Sequence, residues 1–187
     1  MFKRFVFFVF FSCVISSCEK SNKIEKKPKL IVGIVVDQMR YDYISRFYDR
    51  FGEGGFKKLL KNGYFLENAH FNYIPTYTAV GHASIFTGTT PNNHGIISNN
   101  WYDKFLKKSI YCVDDFNYNT VGNNSKEGKK SPNRMFTTTI TDELHLAQNS
   151  KGKTIGIAIK DRSSILPAGI CFMILLFFVF DKISGIL

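Results

Sequence analysis

The chain has 187 residues, of which 44% are hydrophobic and 21% are charged. These values are close to those of globular proteins, so they exclude wholesale disorder and low-complexity fibrous classes, and the length allows one domain or part of one. Basic residues outnumber acidic residues by 25 to 15, which gives a net charge of +10. Because the lysines and arginines are scattered and no nucleic-acid-binding motif accompanies them, we interpret them as solvated surface charges and predict no nucleic-acid partner.

The N-terminal residues have the pattern of an export signal. Lys3 and Arg4 precede an unbroken apolar run over residues 5–11, which is too short to span a membrane as a mature helix. Ile15 and Ser17 lie three residues and one residue before Cys18, as in the lipobox of bacterial lipoproteins. We expect residues 1–17 to be a lipoprotein signal peptide and Cys18 to be lipidated, so that the protein is exported to the periplasm and anchored to a membrane. An ordinary signal peptide with a chance cysteine is the alternative.

The next two segments indicate a tether and the start of a domain. Residues 18–29 are polar and rich in lysine, which is typical of a linker. Residues 30–36 form a continuous apolar run rich in β-branched side chains, and this predicts a strand buried on both faces of a parallel sheet. We therefore place the domain at residues 30–187, with Asp37 at the carboxyl end of its first strand.

Helices and strands alternate along the rest of the chain. The pattern predicts a helical segment over residues 43–60 that is broken near Gly52 and closed by Gly63, and then a strand around residues 65–71. Residues 78–87 have helical spacing and are followed by Gly88. This alternation predicts an α/β fold.

The second half continues the same alternation. Residues 114–133 are rich in Asn, Asp, Lys and Gly and are predicted to be a surface loop. A helix is predicted over residues 135–148 and a strand over residues 154–159. Outside the signal and the lipidation site, Cys112 and Cys171 permit one disulfide, although their spacing does not require it.

Three charged residues stand where ligands gather in α/β proteins, at the carboxyl ends of strands. Asp37 follows the first predicted strand, and an N-cap role for it is the alternative. Lys160 and Arg162 follow the strand predicted over residues 154–159. Side chains two residues apart on a strand point the same way, so both cations could hold one anion; a solvated pair is the alternative.

Thr78 lies at the predicted start of a helix, where unpaired amides and the helix dipole favour negative charge. Its hydroxyl could act there as a nucleophile near a metal, but Thr76 or Thr78 could also be a plain N-cap. Asn99 alone is an ordinary turn residue. His82 and His94 have no metal-binding spacing together, and we interpret both as structural.

The motifs taken together resemble the alkaline phosphatase superfamily, in the branch shared with type I phosphodiesterases and nucleotide pyrophosphatases. The resemblance rests on residues 34–40 (IVVDQMR), 75–82 (PTYTAVGH), 99–102 (NNWY) and 157–169 (IAIKDRSSILPAG), and it covers about residues 29–169. It is closest to bacterial periplasmic alkaline phosphatases that use a threonine nucleophile.

This resemblance implies a site and a fold. Thr78 would be the nucleophile and a metal ligand, Asp37 would bind one of two zinc ions, and Asn99, Lys160 and Arg162 would contact the phosphoryl oxygens. The two cations would favour a small-molecule phosphate monoester, whose dianion carries one more charge than a diester. The implied fold is part of an alkaline-phosphatase-like sandwich with a mostly parallel central sheet, helices on both faces and its C-terminal portion missing.

The other zinc ligands of this family belong to motifs that do not occur between residues 169 and 187. We therefore expect an N-terminal part of a longer phosphatase, incompetent as it stands. Residues 170–180 are an unbroken apolar run, which indicates either a buried strand or a local frameshift. A phosphodiesterase or nucleotide pyrophosphatase, and a non-catalytic lipoprotein remnant, are the alternative functions.

Overall fold

A computed structural model describes residues 28–120, 124–171 and 174–177. The expected signal peptide, Cys18 and most of the tether lie outside these residues. In chain order, the described elements are α1 (Tyr43–Arg46), a 3-10 turn (Tyr48–Arg50), α2 (Gly55–Asn62), α3 (Thr78–Thr87), α4 (Pro91–His94), β1 (Asn100–Asp103), β2 (Lys108–Tyr111), α5 (Ile140–Ala147), β3 (Ile155–Ala158), α6 (Asp161–Ala168) and β4 (Ile174–Phe177). The fold is α/β, and none of the described helices is long and apolar enough to cross a membrane.

The chain divides into two compact units, residues 1–34 and residues 35–187. In the first unit, the described residues 28–34 carry no helix or strand and their side chains are largely exposed. In the second unit, Val36 is also exposed and Val35 is half-buried, and both lie outside any strand. The strand expected over residues 30–36 is therefore wrong for the described structure, since no described strand pairs with this run and satisfies its backbone groups.

Strands pair in two separate places. Strands β1 and β2 form an antiparallel hairpin in which Asn100 pairs with Tyr111. Strands β3 and β4 are parallel, with Ile155 opposite Ile174, and α6 makes the crossover that a parallel pair requires. The strand expected over residues 154–159 is confirmed, and so is a strand within the apolar run 170–180.

The core lies mainly between α3 and α6. Small side chains four residues apart on α3, Ala79 and Ala83, form one face of that helix and are completely buried. They belong to a cluster with Ile96, Cys112, Val113, Met135, Ile165 and Leu166. Because α3 begins at Thr78 and α6 begins at Asp161, packing them together brings two candidate site segments into one unit.

Some helix ends lie where the sequence predicts them. Helix α3 spans the predicted residues 78–87 and ends at Gly88, which is left-handed with φ 67°. Helix α5 begins later than expected, because Thr139 and Asp142 form a reciprocal capping box. The segment 65–71 forms turns instead of the expected strand, and the described part of 114–133 is a loop joined by one bridge between Asp114 and Lys130.

A buried carboxylate joins α5 to the segment between α6 and β4. Asp142 is 1% exposed and accepts hydrogen bonds from the backbone amides of Thr139 at 2.9 Å, Ile170 at 2.8 Å and Cys171 at 2.8 Å. The chain turns there at Gly169, whose φ is 74°. Cys112 and Cys171 are both free thiols.

Candidate active site

Thr78 is the first residue of α3, and its hydroxyl points towards a carboxylate. The N-cap of this helix is Tyr77, which makes no side-chain capping bond, so the capping alternative for Thr76 and Thr78 is wrong. The Thr78 hydroxyl donates to Oδ2 of Asp37 at 3.3 Å. A hydroxyl that is not used in capping remains available for chemistry.

The first turn of α3 is held by two further side chains. Oδ1 of Asn99 accepts from the backbone amide of Ala79 at 2.9 Å, which satisfies one of the amides left unpaired at a helix start. This contact leaves the amide nitrogen of Asn99 as its donor end. Nδ1 of His82 lies 2.7 Å from the carbonyl oxygen of Thr78, one helical turn earlier. Asn99 and His82 thus fix the backbone on either side of the Thr78 hydroxyl.

Asp37 is also paired with Lys160, which lies 123 residues further along the chain. The Lys160 ammonium is 2.7 Å from the same Asp37 oxygen that faces Thr78. Burial raises the pKa of Asp37, but the hydrogen bond and charge of Lys160, together with the charge of His82 and the Thr78 hydroxyl, bring the pKa below its usual value. The N-cap alternative for Asp37 is wrong, because α1 begins at Tyr43 after Asp42.

Lys160 and Arg162 do not share a strand face as expected. Strand β3 ends at Ala158, Lys160 is the N-cap of α6, and Arg162 lies in its first turn. Residues two apart on a helix point in different directions. Lys160 accordingly reaches Asp37, whereas Nη1 of Arg162 donates to the Tyr111 hydroxyl at 2.8 Å. The structure therefore brings together Asp37, Thr78 and Lys160, with the Asn99 side chain bonded to the first turn of α3, and it holds Arg162 separately.

Sequence reasoning missed the residues around Arg162. Tyr111 at the end of β2 donates to Asp161 at 2.5 Å, and Lys130 lies 3.4 Å from Asp161 and 3.1 Å from Asp114. The one feature of the sequence that could have indicated this cluster was Asp161, an acidic residue between Lys160 and Arg162. The partners Tyr111 and Lys130 lie 50 and 31 residues from Asp161 along the chain, so no spacing pattern identifies them.

His94 is a structural residue in the described chain. It is fully buried, its Nδ1 accepts from the Ile96 amide at 3.1 Å, and its Nε2 lies 2.9 Å from the Ser84 hydroxyl. Burial lowers the pKa of His94, and a backbone hydrogen bond opposes that shift. The ring is therefore held neutral between α3 and α4.

The described residues do not make a complete zinc site. They contain no group of three or more His, Cys, Asp or Glu side chains that could hold a metal ion. The Thr78 hydroxyl oxygen and Oδ2 of Asp37 lie 3.3 Å apart. These two oxygens fit two positions of such a site, whereas zinc is usually held by at least three protein ligands. A separate cleft of about 400 Å³, lined by Tyr41, Ile44, Ser45, Tyr48, Leu60 and Phe65, contains none of the candidate residues.

Comparison with known proteins identifies the family. Residues 31–150 match the family model for type I phosphodiesterase / nucleotide pyrophosphatase. This match includes Asp37, Thr78 and Asn99. The chain therefore belongs to that family.

Within the family, similar proteins include named alkaline phosphatases. The chain is 53% identical over 152 residues to "Alkaline phosphatase PafA" of Elizabethkingia meningoseptica, which covers 81% of this chain and 28% of the relative. It is 52% identical over 143 residues to "Alkaline phosphatase PhoV" of Synechococcus elongatus, with 76% and 26% covered. A protein of Myroides odoratus named "Calcium-transporting ATPase" is 49% identical over 160 residues, with 86% and 28% covered. The chain spans about a quarter of the length of these relatives.

Solved structures show the same likeness. The crystal structure of wild-type alkaline phosphatase PafA has a TM-score of 0.74 and 55% identity, and the match covers 76% of this chain and 28% of the other. A second structure of PafA, with the same TM-score and 52% identity, is of a mutant in which a threonine is changed to serine and an asparagine, a lysine and an arginine are changed to alanine.

Proposed function

We propose that this chain contributes the nucleophile and the phosphate-contacting residues of a phosphate monoester hydrolase. The observation that carries the proposal is the convergence of Thr78 and Lys160 on one oxygen of Asp37, at 3.3 Å and 2.7 Å. A hydroxyl at a helix start, a carboxylate and an ammonium within hydrogen-bond reach are the groups that phosphoryl transfer to an enzyme hydroxyl needs.

The residue types substituted in the PafA mutant support the assignment. That mutant alters a threonine, an asparagine, a lysine and an arginine in this order, with the last two separated by two positions. Thr78, Asn99, Lys160 and Arg162 follow the same order here, and Lys160 and Arg162 are also two positions apart. We assign Thr78 as the nucleophile and the other three residues as contacts to the phosphoryl oxygens.

In the proposed reaction, the Thr78 hydroxyl gives up its proton to solvent and its oxygen attacks phosphorus in line with the leaving group. The bond from phosphorus to the leaving oxygen breaks, which gives phosphothreonine and an alcohol that takes up a proton from solvent. Water then attacks phosphorus, the bond from phosphorus to the Thr78 oxygen breaks, and inorganic phosphate leaves while the Thr78 oxygen takes up a proton and becomes a hydroxyl again. Asp37 orients the hydroxyl before attack. Asp37 and Thr78 would hold zinc together with ligands outside the described residues, and two bound zinc ions would favour ionisation of the hydroxyl and stabilise the leaving oxygen.

Charge selects the substrate in this proposal. The non-bridging oxygens of a monoester dianion carry more charge than those of a diester, so two cations favour the monoester. Lys160 and Arg162 provide these cations, and the Asn99 amide adds an uncharged donor. The substrates are small phosphate monoesters, and the enzyme acts after export, held to a membrane through Cys18.

The 187-residue chain alone is expected to be catalytically incompetent, because its described residues present only two zinc ligands. The test therefore has two parts. The chain itself is assayed with an aryl phosphate and zinc, and so is a hybrid in which residues 30–169 replace the matching segment of alkaline phosphatase PafA. The similarity of the two folds, with a TM-score of 0.74, makes this exchange reasonable.

The hybrid is expected to hydrolyse the aryl phosphate, and Thr78→Ala should abolish that activity. Thr76→Ala is the matched control, because Thr76 is an exposed threonine two residues earlier. Faster turnover of an aryl phosphodiester than of the monoester would favour the phosphodiesterase alternative. A folded hybrid without any turnover would favour the non-catalytic remnant.

A further inference from the structure

Arg162 depends on a tyrosine for its position. Its Nη1 donates to the Tyr111 hydroxyl at 2.8 Å, and this is the one hydrogen bond that its guanidinium makes in the described part of the chain. The nearest carboxylate oxygen, on Asp161, is 3.9 Å from the same nitrogen. That distance is too long for a hydrogen bond, so Asp161 does not fix the guanidinium directly.

The direction of the Tyr111 hydrogen bonds is determined by chemistry. A phenol has one proton, and the hydroxyl of Tyr111 lies 2.5 Å from Oδ1 of Asp161, which can only accept. The proton therefore points to Asp161, and the phenol oxygen is left to accept from Arg162. Burial, followed by the hydrogen bond to Asp161, raises the pKa of Tyr111 far enough that it stays a phenol at any working pH.

A second cation holds Asp161 in place. The Lys130 ammonium lies 3.4 Å from Oδ2 of Asp161 and 4.7 Å from the centre of the Tyr111 ring. The side chains of Lys130, Asp161 and Arg162 are only 13%, 14% and 19% exposed, so water competes weakly for these contacts. The positive charges of Lys130 and Arg162 balance the negative charges of Asp161 and Asp114. A phosphate dianion placed beside Arg162 would therefore meet no net negative charge.

We infer that Tyr111 is a positioning residue, whose hydroxyl is held by Asp161 and fixes the Arg162 guanidinium where it can contact a phosphoryl oxygen. The part of this inference that concerns phosphate rests on the proposed function. The part that concerns orientation does not. A tyrosine here fixes the arginine without forming a tight ion pair that would cancel its charge.

The experiment separates these two parts with Tyr111→Phe in the 187-residue chain. This variant removes only the hydroxyl. Tyr102→Phe is the matched control, because Tyr102 lies on the neighbouring strand β1, is 62% exposed, and has a hydroxyl that makes no hydrogen bond in the described part of the chain. The first measurement is the rotation rate of the Arg162 guanidinium by ¹⁵N NMR. We expect slow rotation in the wild type and in Tyr102→Phe, and rotation at least about tenfold faster in Tyr111→Phe.

The second measurement is the affinity for inorganic phosphate, determined by calorimetry. Loss of one hydrogen bond to a charged group corresponds to about a tenfold weaker affinity for Tyr111→Phe, with little further loss when Arg162→Ala is added. Unchanged Arg162 rotation in Tyr111→Phe would overturn the inference. Faster rotation in a chain that binds no phosphate would retain the positioning of Arg162 by Tyr111 and overturn the part of the inference that concerns phosphate, while the proposed function is tested separately in the hybrid. An equal loss of affinity with and without Arg162 would show a general structural effect and overturn the inference.

Discussion

Replacing Asp142 by alanine tests the account of how the segment after α6 is held. Three backbone amides donate to this carboxylate, at 2.8 to 2.9 Å, and the residue is 1% exposed. A hydrogen bond to a charged group contributes about 1.5 kcal/mol or more. Because Ile170 is 59% exposed and water can replace part of its contact, we expect Asp142→Ala to lower the free energy of unfolding by about 3–4 kcal/mol.

The assay is urea unfolding followed by circular dichroism. With a slope of about 2 kcal/mol per molar urea, this loss moves the midpoint down by about 1.5–2 M. Asp142→Asn keeps one oxygen acceptor and should lose about half as much. Glu143→Ala is the matched control, because it removes a neighbouring, exposed carboxylate from the same helix turn and should cost less than about 1 kcal/mol. Equal midpoints for Asp142→Ala and Glu143→Ala would refute the reasoning.

Three further predictions concern stability and reactivity. Gly169→Ala should lower the free energy of unfolding by about 2 kcal/mol, because φ is 74° there and the Asp142 carboxylate occupies the place of the new methyl group. Gly52→Ala is the control: its methyl group meets no atom within 4 Å, so the free energy of unfolding should change little. Burial lowers the pKa of His94 from its usual 6.5, so the unfolded state binds more protons than the folded state below pH 6.5. The contribution of neutral His94 to the free energy of unfolding is therefore complete above pH 6.5 and is lost as the pH falls towards the folded pKa. The free energy of unfolding is measured against pH for the wild type and for His94→Gln, and the difference between the two should fall as the pH drops below 6.5. Parallel profiles would contradict this prediction. Burial raises the pKa of the Cys112 thiol to about 12, so little reactive thiolate is present in the folded chain. Maleimide labelling of Cys112, located by mass spectrometry, should be about 100-fold slower in the native chain than in urea. Equal labelling rates would show that the thiol is accessible.

The sequence predicted those helices and strands whose boundaries depend on neighbouring residues. Helix α3 was predictable because Gly88 stops it and its residues have helical spacing, and α3 begins at Thr78 as expected. Helix α6 was not predicted, because Lys160 and Arg162 were treated as two side chains at the end of the strand predicted over residues 154–159. An acidic residue in the first turn, Asp161, was the signal for a helix start there.

The contacts that define the candidate site depend on long-range packing. Asp37 and Lys160 are 123 residues apart, and Tyr111 and Arg162 are 51 residues apart. No periodicity or spacing rule links such positions, so the sequence motifs indicated which residues matter but not how they pair. The run over residues 30–36 illustrates the same limit, because an apolar composition favours a strand but only a partner strand completes one.

The most direct test of the proposed function is to identify the atom that receives phosphate. The hybrid described above, loaded with zinc, is mixed with an aryl phosphate and quenched in acid, and the modified residue is located by peptide mass spectrometry. We predict phosphate on Thr78 of the hybrid and none in Thr78→Ala, while Thr76→Ala is labelled like the parent. Turnover that continues without label on Thr78, or phosphate on any other residue, would contradict it.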